Sequence, residues 1–143
     1  MAQNNFLLEH KDKTTILTIT RPEVLNAPNF NLLRELKKTF LDFKNDTKRR
    51  VLIITGKGEK AFCAGADMQE LSGRHITEER EGQLTGQDTC TTLEDLCKPS
   101  IAAINGCALG GGLEMALART FRFALAMRVL GCQKSTLTSY PSM

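Results

Sequence analysis

The sequence predicts an α/β fold, because short strand patterns alternate with helix patterns along its 143 residues. A chain of this length is the size of one ordinary domain and can bury a hydrophobic core. Two turns built from small residues, at 64–67 and 110–112, support this class. Each of them follows a strand pattern and precedes a helix pattern.

The first elements are two strands, a helix and a third strand. Residues 14–20 alternate apolar and polar side chains, as a half-buried strand does, and residues 6–9 provide a partner strand. Pro22 ends the second strand because proline has no N–H to donate. The helix pattern after Asn29 places five apolar residues on one face: Leu32, Leu33, Leu36, Phe40 and Phe43. Residues 51–55 form a continuous apolar run rich in β-branched side chains, which predicts a strand buried on both faces.

The rest of the chain continues this alternation. Residues 61–68 are mostly small and open toward a short helix. Residues 72–92 are polar and only weakly periodic, which predicts a mobile surface loop. A short helix at 93–97 and a buried strand at 101–104 follow, before three adjacent glycines begin the next helix.

Composition narrows the classes of function. The net charge of +3 is small and scattered, so we expect no nucleic-acid partner. The five cysteines form no CxxC pair and no regular spacing, which favours a reducing compartment over a disulfide framework. The N-terminus is polar and no apolar run reaches the length of a membrane span. We therefore expect no membrane partner and a cytoplasmic location.

The glycine turn before Glu114 is the feature that most indicates chemistry. Three glycines in a row destabilise a helix start. Their presence therefore indicates that the backbone itself has a role there. The N–H groups of a first helical turn lack partners, so they would bind a ligand oxygen. N–H groups from the 64–67 turn, converging on the same point, would complete an oxyanion hole. For each turn taken alone, a structural or phosphate-binding role is the alternative.

Two common phosphate-binding motifs do not occur in the sequence. It contains no G-x-x-x-x-G-K-[ST], and no G-x-G-x-x-G with an acidic residue about twenty positions later. Nucleotide binding of those types is therefore not expected.

Five blocks of sequence, in order and at matching spacing, resemble the crotonase superfamily, the enoyl-CoA hydratases and isomerases. They are RPEVLNA at 21–27, IITG at 53–56, AFCAGAD at 61–67, KPSIAAING at 98–106 and ALGGGLE at 108–114. The resemblance implies a crotonase-like spiral of repeated ββα turns, which in the family is assembled as a homo-trimer or hexamer.

The resemblance also implies an oxyanion hole and a catalytic carboxylate. In the family, the backbone N–H groups at the positions of Ala66 and Gly111 hold the thioester carbonyl of an acyl-CoA. Glu114 matches the first of two glutamates in hydratases, which orients or deprotonates the attacking water. The alternative for Glu114 is an exposed carboxylate that the start of a helix favours electrostatically.

The turn after residues 61–63 carries the CoA contacts that the resemblance implies. Ala64 and Met68 fall where the family holds the adenine end of CoA, and Asp67 lies between them. Asp67 also suits an N-cap or a local hydrogen-bond acceptor, because it directly precedes a helix pattern.

The reaction that the resemblance implies is the addition of water to a 2-enoyl-CoA, in fatty-acid or related acyl-CoA catabolism. The partner is then an acyl-CoA thioester. We expect no metal and no separate cofactor, since CoA arrives as part of the substrate.

The end of the chain departs from the family pattern. Lys134 stands where hydratases carry their second glutamate, and Arg119 and Thr120 stand where members often carry Cys-Asp. One choice of codons for the residues after 131 reads as the family block when shifted by one base, so we hypothesise that 132–143 is a frame-shifted tail. Residues 1–131 are then the N-terminal part of a crotonase-like domain that is truncated before its C-terminal part.

These departures leave two alternatives open. The alternatives to a hydratase are a different acyl-CoA enzyme of the superfamily, such as an enoyl-CoA isomerase, and a non-catalytic truncated remnant. Such a remnant would bind acyl-CoA or pair with a paralogue, and trimers or hexamers are less expected for it.

Overall fold

Strands of two different sheets alternate along the chain. A computed structural model describes residues 4–124 and 130–131. Eight strands and four helices follow one another in these residues: β1 (Phe6–Lys11), β2 (Thr14–Ile19), α1 (Phe30–Asn45), β3 (Val51–Gly56), β4 (Ala61–Cys63), α2 (Met68–Leu71), α3 (Ile76–Glu94), β5 (Ser100–Ile104), β6 (Cys107–Leu109), α4 (Gly111–Leu117), β7 (Phe121–Ala124) and β8 (Leu130–Gly131). A short 3₁₀ turn, Pro22–Val24, precedes α1.

The order of the strands confirms a spiral of ββα turns. The larger sheet has the order β1-β2-β3-β5-β7 and the smaller sheet has the order β4-β6-β8. From β3 onward, each turn of chain therefore adds one strand to the larger sheet and the next strand to the smaller one. Helices α2 and α3 close the turn made by β3 and β4, and α4 closes the turn made by β5 and β6. All pairs are parallel except β1 with β2.

The N-terminal elements are those that the sequence predicts. β1 and β2 form an antiparallel pair in register from Phe6 opposite Ile19 to Lys11 opposite Thr14. Asn29 is the N-cap of α1, since its side chain accepts a hydrogen bond of 2.8 Å from the N–H of Leu32. The predicted apolar face of α1 lies in the core, with only Leu33 half-buried.

The strand β3 differs from its prediction in one respect. Its burial alternates, with Leu52 and Ile54 fully buried and Val51, Ile53 and Thr55 only partly buried. The prediction of burial on both faces is therefore wrong. The side chains on the second face lie beside partly exposed neighbours of β2 and β5 rather than in the core.

The predicted mobile loop at 72–92 is wrong, because most of this range belongs to the long helix α3. Gly82, Thr89 and Leu93 form its buried side, which packs on α1. Two of these three residues are not apolar, so the helix leaves little trace in the hydrophobic pattern. The Thr89 hydroxyl donates to the backbone carbonyls of Thr85 and Leu33, and so needs no water when buried.

The segments on either side of Pro99 also differ from prediction. α3 ends at Glu94, so the predicted helix at 93–97 is only its last turn, and Cys97 has a positive φ of 58°. After β5, Asn105 and Gly106 carry the chain across to the smaller sheet, where it forms β6. The sequence did not reveal β6, since three residues are too few for a periodic pattern.

The hydrophobic core is one cluster between the two sheets and the helices α1, α3 and α4. None of the helices in the described ranges has the length and apolar character needed to cross a membrane.

The contact between α1 and α3 depends on Gly82. A Cβ on Gly82 would overlap the ring of Phe30, whereas a Cβ on Gly86 would meet only Leu33 Cδ1 at 3.9 Å. Alanine is favoured over glycine by about 1 kcal/mol in a helix interior. We predict that Gly86→Ala raises the free energy of unfolding, while Gly82→Ala lowers it by about 1–3 kcal/mol through overpacking. Urea denaturation of the two variants measures both values, and equal effects would contradict this packing.

Candidate active site

The parallel pairing of β4 with β6 brings the two small-residue turns together. Ala61 pairs with Cys107 and Cys63 pairs with Ala108, so both strands end at the same edge of the smaller sheet. The turns at 64–67 and 110–112 begin at that edge. They lie in contact, because a Cβ on Gly110 would stand 3.8 Å from the Cα of Gly65.

The local backbone requires glycine at Gly65, Gly110 and Gly112, but not for the same reason. Gly110 has φ 52° and ψ −124°, and Gly65 has φ 98°, conformations that other residues adopt only with strain. Gly112 passes against the backbone carbonyl of Cys63, where a Cβ would overlap it. Gly111 meets neither restriction, since a Cβ there would have no atom within 4 Å. The backbone at Gly111 therefore borders open space.

The amides of Ala66 and Gly111 are free to bind a ligand. Both residues are exposed. In the part of the chain that the structure describes, neither N–H donates a hydrogen bond to another residue. Gly110, the N-cap of α4, has no side chain that could bond to the N–H groups of the helix start. The turns thus present, from two adjacent segments, two donors that are not bonded to any residue in the described part of the chain.

Asp67 is held inside the protein. Its Oδ2 is 3.0 Å from Nη2 of Arg21, its Oδ1 accepts a hydrogen bond of 3.1 Å from the N–H of Gln69, and the residue is only 8% exposed. Both oxygens are therefore bound to protein donors. This arrangement favours the local hydrogen-bonding role of Asp67 over a direct contact with CoA.

The two other predicted CoA positions lie on either side of the exposed amide. Ala64 is half-buried, and its N–H donates to the carbonyl of Leu25 at 3.1 Å. Met68 is the first residue of α2, and its side chain lies outside the described part of the structure.

Glu114 lies in the first turn of α4, just after Gly111, and is exposed. Its exposure fits the structural alternative, a carboxylate at a helix start. Glu114 also lines a cleft of about 470 Å³ between α3 and α4, together with Gln87, Cys90, Thr91, Glu94, Leu117 and Ala118. No residue of the two small-residue turns lines this cleft. What connects Glu114 with the turns is its position three residues after Gly111, since residues three apart lie on the same face of a helix.

Glu94 is a second carboxylate of this cleft, which sequence reasoning missed. The lining residues of α3 recur at helical spacing, since Gln87, Cys90 and Glu94 lie three and four positions apart. That spacing would have identified this side of the cleft if residues 72–92 had been interpreted as a helix.

Two thiols near the cleft are poor nucleophiles. Burial raises the pKa of Cys90, and the negative charge of Glu114 raises it further. Burial also raises the pKa of Cys63 to about 12. Both thiols are therefore protonated at neutral pH, so the chemistry of the site falls to the carboxylates and backbone amides.

Arg119 is a buried cation beneath the cleft, at one of the positions that depart from the family pattern. Its Nε donates to the carbonyl of Met115 at 3.0 Å, but Nη1 and Nη2 have no hydrogen-bond partner among the described residues. Burial lowers the pKa of Arg119 to about 9, although the charges of Cys90 and Glu94 act in the opposite direction. A buried cation with two unpaired nitrogens destabilises the fold.

We therefore predict that Arg119→Met raises the free energy of unfolding by about 1–3 kcal/mol. The unfolded chain keeps this proton to far higher pH than the folded chain does. The folded wild type consequently gains stability as the pH rises through about 9. The advantage of Arg119→Met should be constant below that pH and shrink above it.

Urea denaturation at several pH values measures this advantage. Arg80→Met, at an exposed position of α3, is the matched control and should change stability by less than about 0.5 kcal/mol. A loss of stability in Arg119→Met would contradict the account of Arg119.

Some predicted features lie outside the described residues. Lys134 and the tail at 132–143 are among them, so the frame-shift hypothesis and the division of the chain at 131 stay predictions. Within the described ranges, no group of three or more His, Cys, Asp or Glu side chains could hold a metal ion.

Known proteins include sequences that are similar to this chain. A sequence model described as enoyl-CoA hydratase/isomerase matches residues 9–142. The chain is 42% identical over 124 residues to the short-chain-enoyl-CoA hydratase of Clostridium acetobutylicum, covering 87% of this chain and 48% of that protein. It is 40% identical over 131 residues to the crotonyl-CoA hydratase of Syntrophomonas wolfei, covering 92% and 50%.

Solved structures show the same similarity. The enoyl-CoA hydratase from Bacillus anthracis superposes with a TM-score of 0.92 at 37% identity, over 96% of this chain and 54% of that chain. The predicted crotonase-like fold is thereby confirmed. The chain spans about half the length of the curated relatives it matches.

Proposed function

The chain belongs to the enoyl-CoA hydratase/isomerase family, and we propose that it adds water to the double bond of a 2-enoyl-CoA thioester. The observation that carries this proposal is the close approach of the two turns, each of which presents one exposed amide that donates to no residue within 4–124 and 130–131. The names of the two hydratases above support the same reaction.

The proposed chemistry uses the amides to stabilise a developing negative charge. The thioester carbonyl oxygen accepts hydrogen bonds from the N–H groups of Ala66 and Gly111, which makes the β-carbon electrophilic. As water adds there, the electrons of the double bond move to the carbonyl oxygen to form an enolate. Fixed donors aimed at such an oxygen are each worth about 10²–10³ in rate.

Glu114 completes the proposed reaction as general base. Its carboxylate takes a proton from the attacking water and then gives that proton to the α-carbon as the enolate collapses, which regenerates the carboxylate. The sum of these steps is water added across the double bond, with no electron transfer. The reaction as proposed therefore needs neither a metal nor a redox cofactor, and CoA enters as part of the substrate.

The remaining parts of the proposal concern CoA. Ala64 and Met68 are proposed to hold its adenine end, because the block at 61–67 and the residue after it resemble the segment that does so in the family. Asp67 is proposed to act indirectly, by fixing that turn.

A second candidate function is a non-catalytic one, in which the chain binds acyl-CoA and pairs with a relative. The observation that favours it is an apolar surface at the edge of the larger sheet. Leu117, Phe121 and Phe123 are 57%, 55% and 65% exposed there. Apolar surface of this kind promotes association.

The catalytic role of Glu114 separates the two candidates. We predict that the purified full chain lowers the absorbance of crotonyl-CoA as its conjugated double bond is hydrated. Glu114→Gln should reduce the turnover rate by at least about 10²-fold, because glutamine cannot accept the proton from water.

Glu79→Gln is the matched control, since Glu79 lies on the exposed start of α3 away from the cleft. It should keep the wild-type rate. Turnover that survives Glu114→Gln would contradict the proposed base. A folded wild-type chain without turnover would support the non-catalytic function instead.

A further inference from the structure

The segment that precedes α1 forms a buried ionic contact with the turn that carries Ala66. Arg21 Nη2 lies 3.0 Å from Asp67 Oδ2, and the side chains of the two residues are only 12% and 9% exposed. Arg21 Nη1 also donates to the carbonyl of Ala27 at 2.5 Å. The guanidinium therefore ties its own segment to a residue next to Ala66, across 46 positions of sequence.

The segment that holds Arg21 is itself rigid. The backbone N–H of Arg21 donates to Asn26 Oδ1 at 3.0 Å, and the N–H of Asn26 donates back to the Arg21 carbonyl at 2.8 Å. Leu25 and Asn26 both have positive φ values, 55° and 59°, which non-glycine residues adopt only where the surroundings enforce them. Asn26 Nδ2 donates to the carbonyl of Ala61 at 2.8 Å, so the segment is also fixed to β4.

Backbone carbonyls of this rigid segment accept hydrogen bonds from the amides on both sides of Ala66. The N–H of Ala64 donates to the carbonyl of Leu25 at 3.1 Å, and the N–H of Asp67 donates to the carbonyl of Pro28 at 3.2 Å. The N–H of Ala66 between them makes no such bond to the described residues. The hydrogen bonds on either side therefore determine which way the Ala66 amide faces.

Charge gives Arg21 a second effect on the same amide. Asp67 is one residue from Ala66, so its negative charge alone would oppose negative charge on an oxygen bound there. Arg21 neutralises that charge through a hydrogen-bonded ion pair, and burial limits screening of the pair by salt. Geometry and charge thus act in the same direction.

We propose that Arg21 is a positioning residue for the oxyanion hole, which orients the Ala66 amide and neutralises Asp67 beside it. The kinetic part of this inference rests on the proposed hydratase function. Arg21 itself need touch neither the substrate nor the reacting atoms.

Hydrogen exchange tests the orienting role without any activity. In Arg21→Met, the amides of Ala64 and Asp67 should exchange at least about tenfold faster than in the wild type, since the contact that anchors their turn is lost. The amides of β5 should keep their wild-type rates. Unchanged exchange at Ala64 and Asp67, or an equal increase in β5, would overturn the inference.

Steady-state kinetics with crotonyl-CoA tests the charge. Arg21→Met should lower kcat by about 10- to 100-fold, because a displaced donor and an unpaired carboxylate both act on the transition state. KM should change by less than about threefold. Lys37→Met is the matched control, since it removes an exposed ion pair with Asp88 between α1 and α3 and should leave kcat unchanged.

The double variant Arg21→Met/Asp67→Asn separates the effect of the unpaired Asp67 charge from the effect of the lost Arg21 hydrogen bonds. Removal of the unpaired carboxylate should restore kcat at least about threefold relative to Arg21→Met alone, a non-additive result expected of coupled residues. A double variant slower than Arg21→Met, or a loss confined to KM, would overturn the neutralising role. A wild-type chain that fails to hydrate crotonyl-CoA counts against the proposed function, and hydrogen exchange then decides the inference.

Discussion

Strands β4 and β6 run parallel over three residues each, and Gly112 packs directly against the carbonyl of Cys63. The rest of the site depends on this close approach of two backbones. Because both strands end at one edge, the turns after them must share a small volume, and the helices that follow must start there. The positive φ of Gly65 and of Gly110 lets the turns face each other without a side chain between them. A substituent on Gly112 would separate the strands and the donors together.

Two arginines, the partly buried Arg21 and the buried Arg119, show how differently the fold accommodates charge. Arg21 has a carboxylate, a carbonyl and a rigid segment around it, so its burial connects distant parts of the chain. Arg119 has one carbonyl and, in the described part, no acceptor for its two terminal nitrogens. The first arrangement stabilises the turn that carries the Ala66 amide, whereas the second weakens the fold near Glu114. The position that departs from the family pattern is thus also the position where the structure is physically strained by charge.

The elements that were predicted correctly are those whose sequence pattern has a single physical cause. The helix after Asn29, the strand at 14–20 and the two small-residue turns follow from periodicity and glycine placement, and the structure confirms them. The prediction failed at α3, because the buried side of this helix includes Gly82 and Thr89. These residues pack closely but do not form an apolar pattern. The positioning role of Arg21 could not be predicted, because it depends on a contact across 46 residues. The assembly, location and tail of the chain stay predictions.

We propose that the amides of Ala66 and Gly111 act together on one thioester oxygen. Amide chemical shifts during titration with butyryl-CoA, a saturated thioester that cannot be hydrated, test this joint role most directly. We expect both amide protons to move downfield along one binding curve, as donors that enter hydrogen bonds do. CoA alone, which lacks the acyl carbonyl, should leave the Gly111 amide unchanged and should not move the Ala66 amide proton downfield, even though its adenine end is proposed to bind beside Ala66. Equal shifts with CoA and butyryl-CoA, or a response of only one amide, would contradict a shared oxyanion hole.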